Sequence, residues 1–369
     1  TSNNRIGDII NRCYTSEQFS EAVKILRRYN IDVVAHIMVG LPMETQEDIA
    51  NTVKFINNHD VQGIKIHSTY VVKNTKLAKM YELGEYILFP HTEKTAEAPL
   101  YFYSKKDLSF CFNWGKFGRG PGEIYDCNPY YFQKTDSSFI LNTNYIYETE
   151  FRMKGDSLEM ETPKLIASLP MNNLLKINDS IFFFENKLEE KEFSLFNTQR
   201  RVTLKKFGEY PQTVIPFDEL SDRDNICQKT CILNREKGLI YVFYENMPLI
   251  RLYSIDGNLL EEVTLKDTRP KKMTVPEFYE SKSELYFSFP YRSGNSIYVQ
   301  FFNVPLNSVH TLKQVEVQEW DEELNLKNRF LIDRNFNIFC VANDDIPTLY
   351  GFNQREDDTY FVKAKLREL

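Results

Sequence analysis

Five times between residues 136 and 354 the chain runs through the same unit: a polar turn, a short and very apolar strand, another turn, and an alternating companion strand. The apolar strands follow the turns in "KTDSSFIL", "KINDSIFFF", "REKGLIYVF", "SKSELYFSF" and "DRNFNIFCV". Their turn residues stand near 136, 179, 236, 283 and 335, a period of 43 to 57 residues. The companions are "YIYETEF", "FSLFNTQRRV", "LIRLYSIDGNLLEEV", "SIYVQFFNV" and "TLYGFNQ". Within the third, Asp256-Gly257 is a two-residue hairpin turn, since such turns need residues that tolerate positive φ. A repeat of roughly 45 residues made of about four short strands predicts a β-propeller blade. Each blade has two apolar faces and must stack on neighbours. That need explains strands as apolar as "SIFFFE" in a chain of formal net charge −7.

An orphan companion, "PLYFYSKKDLSFCFNWG" (Pro99 to Gly115), precedes these units without its own turn and strand. Five full units and one half predict six blades with the first incomplete. "YILF" (Tyr86 to Phe89) is a candidate for the lost strand, limited to an edge by Pro90.

The first part is a different kind of protein. Residues 1–95 hold 8 aromatics and the remaining 274 hold 44; basic and acidic residues number 11 and 11 in the first part, 34 and 41 in the rest. "TSEQFSEAVKILRRY" opens with a capping box, Thr15 with Gln18, and Phe19, Ala22, Val23 and Leu26 follow helical spacing. "DVVAHIMVG" reads as a buried strand. Thr45 caps a second helix with Ile49, Val53 and Ile56 inside. "GIKIHSTYVV" is a second strand, and "NTKLAKMYELGEY" a short helix stopped by Gly84. The order α-β-α-β-α with short links implies parallel strands and crossover helices. Strand alternation puts Ile37, Val39, Ile64 and Ile66 against helices and His36, Met38, Lys65 and His67 toward a lumen.

The fold class expected is therefore multi-domain, α/β plus all-β. Residues 1–92 form a partial parallel (β/α) barrel fragment, and residues 98–369 form a six-bladed, possibly incomplete, β-propeller.

Residues from about 5 to 86 resemble the C-terminal part of a radical-SAM barrel, on "INRCYTSEQFSEAVKILRRYNIDVVAHIMVGLPMETQEDI" and "GIKIHSTYVVKNTKLAKMYELGEY". The resemblance implies a (β/α)6 partial barrel, a [4Fe–4S] cluster on a CxxxCxxC loop, and S-adenosylmethionine cleaved to a 5′-deoxyadenosyl radical. It implies that "GLPMET" (Gly40 to Thr45) follows a late strand near the cofactor, with Gly40, Pro42, Glu44, His36, Lys65 and His67 as cofactor-binding candidates. Leu41 stands where that family's motif has a glycine. The cluster needs three thiolates, and Cys13 stands alone. "CQKTCILN" offers Cys227 and Cys231, but the third position is Asn234. No cofactor is therefore expected on this chain unless the missing barrel half is present.

Residues from about 98 to 369 resemble a six-bladed propeller family of Bacteroides-type bacteria, related to NHL and TolB-like propellers, with "GKFGRGPGEI" (Gly115 to Ile124) as the telling link. The link is not a nucleotide loop, because it has neither the GxGxxG order nor a following Gly-Lys-Ser/Thr. The resemblance implies a ligand- or protein-binding module. Its candidate contacts are the aromatics and arginines Tyr130, Tyr131, Arg223, Tyr291 and Arg292, and its ligand is a protein, a small molecule or a glycan.

No catalytic set and no metal site stand out. His36 and His67 lack a third ligand, and "SDRDN" lacks the glycine and distant glutamate of an EF-hand, so a solvated turn is expected there. An acidic balance argues against nucleic acid, and no run of about 18 apolar residues exists to span a membrane. The expected function is non-catalytic recognition by the propeller, beside a vestigial barrel fragment. The alternatives are a radical-SAM enzyme whose cluster-bearing half lies elsewhere, and a propeller hydrolase or lyase. The opening "TSNNRIGDII" suggests a truncated start, and the change near 87–99 a recombined reading frame. The barrel resemblance implies the cytoplasm; the propeller resemblance implies an exported or lipid-anchored protein. An exposed barrel edge would favour self-association.

Overall fold

Apolar strands that cannot hide both faces alone are stacked here around a ring. The computed structural model describes residues 2–4, 14–39, 46–68, 79–91, 96–118, 120, 122–135, 138–144, 146–155, 157–166, 173–266, 268, 272–354 and 359–367. It divides into two units, Thr1–Thr75 with Glu93–Glu97, and Lys76–Thr92 with Ala98–Leu369.

In the first unit, α1 (Ser16–Arg28) carries the expected capping box of Thr15 and Gln18. Strand β1 (Val34–Val39), helix α2 (Gln46–Asn57) and strand β2 (Gly63–Ser68) form a β-α-β unit whose two strands pair in parallel. The core is small: Ala35, Ile37 and Ile56 are buried, with Phe19, Phe55 and Val61 packed against them. The expected inner stripes are only partly inside. Val23 is buried, but Ala22, Leu26 and Val53 are exposed, as is Ile64 at 48 %. Two strands give two helices too little sheet to cover. Thr45 and the residues around Gly84's expected helix, 69–78, lie outside the described residues, and Gly84 itself closes a hairpin between strands instead.

The second unit is a six-sheet propeller. The first sheet is β3 (Tyr81–Leu83), β4 (Tyr86–Pro90), β5 (Leu100–Ser104) and β6 (Phe110–Trp114). The second is β7 (Cys127–Lys134), β8 (Ser138–Thr143), β9 (Tyr147–Lys154) and β10 (Ser157–Met160), with β11 (Lys164–Leu165) also on β9. The third is β12 (Leu175–Lys176), β13 (Ile181–Glu185), β14 (Lys191–Asn197) and β15 (Val202–Glu209). The fourth is β16 (Lys229–Asn234), β17 (Leu239–Tyr244), β18 (Leu249–Ser254) and β19 (Leu259–Thr264). The fifth is β20 (Glu284–Ser293), β21 (Ser296–Pro305), β22 (Val315–Trp320) and β23 (Leu326–Ile332). The sixth is β24 (Ile338–Ala342), β25 (Thr348–Gln354) and β26 (Thr359–Lys365).

Two expectations are corrected. The first blade has all four strands, since "YILF" is β4 and pairs with both β3 and β5. Pro90 is accommodated at the end of β4, where a missing N–H costs least. The sheet with three strands among the described residues is the last. The described residues 79–91, expected in the barrel fragment, group with the propeller sheets.

Every junction between neighbouring sheets has its own apolar cluster. Phe102 meets Phe139 and Phe151 between the first and second sheets, and Tyr131 meets Leu174 and Phe182 between the second and third. Phe193 meets Tyr253 between the third and fourth, Phe243 meets Phe287 at the next, and Val317 meets Phe339 and Leu349 at the fifth. The ring closes where Ile87 and Phe89 pack on Ile338, Cys340 and Tyr350. No strand is shared across this seam among the described residues. Side chains alone hold it, with help from Lys105, 2.9 Å from Asp344, and Lys363, which donates to the Lys105 and Lys106 carbonyls.

The Asp256-Gly257 turn joins β18 to β19 as expected. Gly257 has φ +75°, and a Cβ there would lie 2.6 Å from the Phe207 ring. Both conditions exclude a side chain. Gly257→Ala is expected to cost about 1–3 kcal/mol, read as a shift in the urea midpoint. An unchanged midpoint would contradict the packing.

The glycine-rich link 115–124 folds around its own anion. Glu123 Oε2 accepts from the Gly120 amide at 2.8 Å, and that bond draws the carboxyl below its usual pKa. A Cβ at Gly118 would sit 1.9 Å from the same oxygen.

His91 follows β4, its ring 4.6 Å from that of Tyr101, and burial pushes it down to about 4. A histidine lowered in the folded state adds stability above its unfolded value of 6.5, and loses it as pH falls toward 4. His91→Phe is expected to remove about 2 kcal/mol of acid-side pH dependence across that window. Urea midpoints taken through it give the test, and equal slopes in both proteins would refute the assignment.

Candidate functional site: the channel mouth

The innermost strands surround a cavity of 710 Å³ to which all six sheets contribute. In four sheets the lining residues are toward the C-terminal ends of those strands: 131–134 of β7, 231–233 with 235–236 at β16, 290–294 at β20, and Val341 and Asn343 at β24; in the third sheet they are the two-residue β12 and the two residues before it, 173–176. The first sheet supplies Lys79, Tyr81 and Glu82. Innermost strands of a propeller run side by side along the channel, so their ends collect at one mouth.

The wall has an apolar and a charged part. Tyr81 and Phe132 stack with ring centroids 3.7 Å apart, and Leu174, Ile232 and Val341 continue this surface. The charged part is mostly basic: Lys79, Lys134, Lys176, Arg235 and Arg292, against Glu82 and Glu236. Lys134 pairs with Glu82 at 2.6 Å. Lys176 lies 2.9 Å from Glu148 and 3.0 Å from Asp179. Arg235 donates to the Lys176 carbonyl at 2.8 Å. Arg292 is held loosely, 3.6 Å from Glu236 and 3.8 Å from Glu322. Burial pushes the Lys79 ammonium down to about 8, although Glu245 opposes it.

Of the expected ligand contacts, Tyr131, Tyr291 and Arg292 line this cavity. They do so from strands rather than loops. The Tyr131 hydroxyl donates to Glu148, and burial with that carboxylate raises the phenol far above its usual pKa. Tyr130 is on β7, its side chain outside the described set. Arg223 is elsewhere: it is buried on α3 (Leu220–Ile226), bonded to Asp224 at 2.9 Å and to the Glu189 carbonyl at 2.6 Å, with its guanidinium 3.5 Å from the Tyr210 ring centroid. "SDRDN" is thus part of a helix, not a solvated turn. Asp224 accepts from the Leu188 amide, and Asp222 from the Tyr279 hydroxyl. Sequence reasoning missed Lys79, Lys134, Lys176 and Arg235.

A buried ionic cluster lies between the third and fourth sheets. Lys229 reaches Glu192 at 2.5 Å with both side chains fully buried, and Glu192 also meets Arg251 at 3.1 Å. The Tyr244 hydroxyl donates to Glu192 as well. Burial opposes the Lys229 charge, but Glu192 and Glu185 outweigh it and raise its pKa.

In the first unit, β1 and β2 bring His36 opposite Lys65 and Met38 opposite His67 in register. His36 is exposed, and nothing is described of the Lys65 and His67 side chains. Gly40, Pro42 and Glu44 lie outside the described residues. Among the described residues no three His, Cys, Asp or Glu side chains converge on a metal. Cys227, Cys231 and Cys340 are buried in the propeller. Burial pushes Cys227 up to about 12 and Cys231 and Cys340 well above their usual range, so these thiols are protonated as they stand.

The chain is similar to known proteins in separate stretches. Over 85 residues the chain is 39% identical to the uncharacterized protein YtqA of Bacillus subtilis, covering 23% of this chain and 26% of that protein. Over 79 residues it is 34% identical to the uncharacterized protein MJ0486 of Methanocaldococcus jannaschii, covering 21% of this chain and 24% of that one. The chain thus spans about a quarter of the length of these curated relatives. Among solved structures, a member of the DUF4221 family from Bacteroides vulgatus aligns with a TM-score of 0.47 and 12% identity, over 80% of this chain and 94% of that one. Residues 1–56 match the radical SAM superfamily and residues 54–221 match the TolB-like 6-blade propeller family.

Proposed function

We propose that this chain is a recognition module whose ligand, a small molecule or a projecting group of a partner, seats at the channel mouth of the propeller. The observation that carries this reading is the 710 Å³ cavity assembled from all six sheets, within the range of volumes that small-molecule sites occupy. Its wall combines an aromatic and aliphatic surface with a few convergent polar groups, the composition that fixes a ligand's orientation. No histidine lines it among the described residues; the groups there able to exchange protons are Lys79, pushed down to about 8 by burial, and the carboxylates Glu82 and Glu236.

Asn343→Trp tests the reading. Asn343 is exposed on the wall of the mouth, and an indole there takes up ligand space without disturbing the inter-sheet clusters. Ligand-observed NMR against a mixture of organic acids, phosphates and saccharides is expected to detect binders with the native protein and not with the variant. Binding that survives the substitution places the site elsewhere.

The radical-SAM match over residues 1–56 favours a second reading, an enzyme completed by a cluster-bearing half outside this chain. Iron and sulfide analysis after anaerobic purification separates the two. Stoichiometric iron would support the enzyme, and iron at background level would support recognition alone.

A further inference from the structure

We infer that the channel mouth takes a small multivalent anion, an inference that rests on the proposed recognition role of the same cavity. Five consecutive sheets each place one cation on its wall: Lys79 ahead of β3, Lys134 on β7, Lys176 on β12, Arg235 after β16 and Arg292 on β20. The sixth contributes Asn343. Opposed to these are only Glu82 and Glu236 among the described lining residues, in a chain whose formal net charge is −7. Basic residues have been concentrated where the overall composition runs the other way.

Internal pairing uses up only part of this charge: Lys176 is matched by Glu148 and Asp179 at 2.9 and 3.0 Å, whereas Lys134, Arg235 and Arg292 are less fully matched. Glu82 is shared between Lys134 and Lys105, at 2.6 and 3.2 Å. Arg235 has no carboxylate within 4.0 Å among the described residues and is held only by a carbonyl. The Arg292 contacts to Glu236 and Glu322 exceed hydrogen-bond length, and its Nε is buried without an acceptor. A buried donor without an acceptor is uncommon in folded proteins, and it leaves this guanidinium only loosely fixed. Cations arranged round a concave, low-dielectric wall repel one another and focus a positive potential into the space they enclose. Because they come from five separate sheets, one monovalent anion can meet only some of them. A ligand carrying two or more anionic groups reaches across the ring and offsets the repulsion. The stacked Tyr81 and Phe132 rings would bound its carbon skeleton on one side.

The test uses the whole chain in chelator-containing buffer, with sodium pyrophosphate, sodium citrate and neutral maltose as probes, each followed by calorimetry and thermal unfolding. Pyrophosphate or citrate is expected to bind, to raise the Tm, and to weaken steeply as sodium chloride increases. Preference for one of the two distinguishes a phosphate from a carboxylate ligand. Arg235→Gln and Lys134→Gln are each expected to weaken that anion about tenfold, with unfolding of the free variants unchanged or slightly improved. Two results overturn the inference: anion binding that is equal in the double variant, or no anion binding at all. If maltose binds and Asn343→Trp abolishes it, recognition at the mouth stands and the anionic ligand alone falls. If no probe binds, or Asn343→Trp alters none, both fall together.

Discussion

Lys229→Met is expected to destabilise the propeller by about 3–5 kcal/mol, the cost of leaving one partner of a buried pair uncompensated. Glu192 is fully buried and would keep only Arg251, 3.1 Å away, and the Tyr244 hydroxyl. Equilibrium urea unfolding provides the measurement, and a loss below about 1 kcal/mol would show that the pair is solvated. The cluster also sets an alkaline limit. Lys229 is raised by Glu192 and Glu185 against burial, and Tyr244 is raised by burial first and Glu192 next. Groups raised in the folded state give stability that is full below their unfolded pKa and lost as pH climbs through the folded one. Native stability should therefore decline above the ordinary lysine and tyrosine values of 10.5 and 10.0. The Lys229→Met variant should show a weaker decline.

Phe89→Ala should cost a comparable amount, about 3–5 kcal/mol, with a distinctive distribution. Phe89 is 5 % exposed and packs on Phe352 and Phe361 at centroid distances of 4.9 and 5.8 Å, across the seam where the ring closes. Because Phe89 contacts the last sheet directly, loss of the ring should accelerate amide exchange in β24–β26 and in β3–β5 ahead of the remaining sheets. Phe183→Ala, a truncation of the same size in the third sheet, should instead loosen the third and fourth. Uniform acceleration in both variants would mean that the ring opens as one unit.

The propeller was legible because its strands announce themselves. "IFFFE", "LIYVFY" and "IFCVA" are apolar on both faces, and that pattern has few solutions outside stacked sheets. The phase of the repeat was not legible. The quoted apolar runs are the second strands of the second, third and fourth sheets but the innermost strands of the fifth and sixth. Innermost strands in the earlier sheets are short or mixed, as in "LK" and "CNPYYFQK", because they face a polar channel. With the phase unknown, Lys134, Lys176 and Arg235 look like ordinary surface lysines and arginines. Tyr131, Tyr291 and Arg292 were found only as aromatics and arginines typical of a binding face. The first sheet was misjudged for a related reason: β3 has three residues, "YEL", and reads as the end of a helix. In the other unit the capping box is a local device and was visible locally, whereas the exposure of Leu26 and Val53 depends on how much sheet is present.

The seam bears on where the gene for such a ring has to begin. Like the other five junctions it is sustained by interdigitated side chains, although the sheet on one side of it has three strands among the described residues. A peptide joining 366 to 79 would travel from the outermost strand of one sheet to the innermost strand of the next, the route already taken between β6 and β7. Residues 79–366 are therefore circularly permutable in principle, with any inter-sheet link serving as the new start. The rotational order of the sheets, rather than the position of the first codon, is what this packing requires.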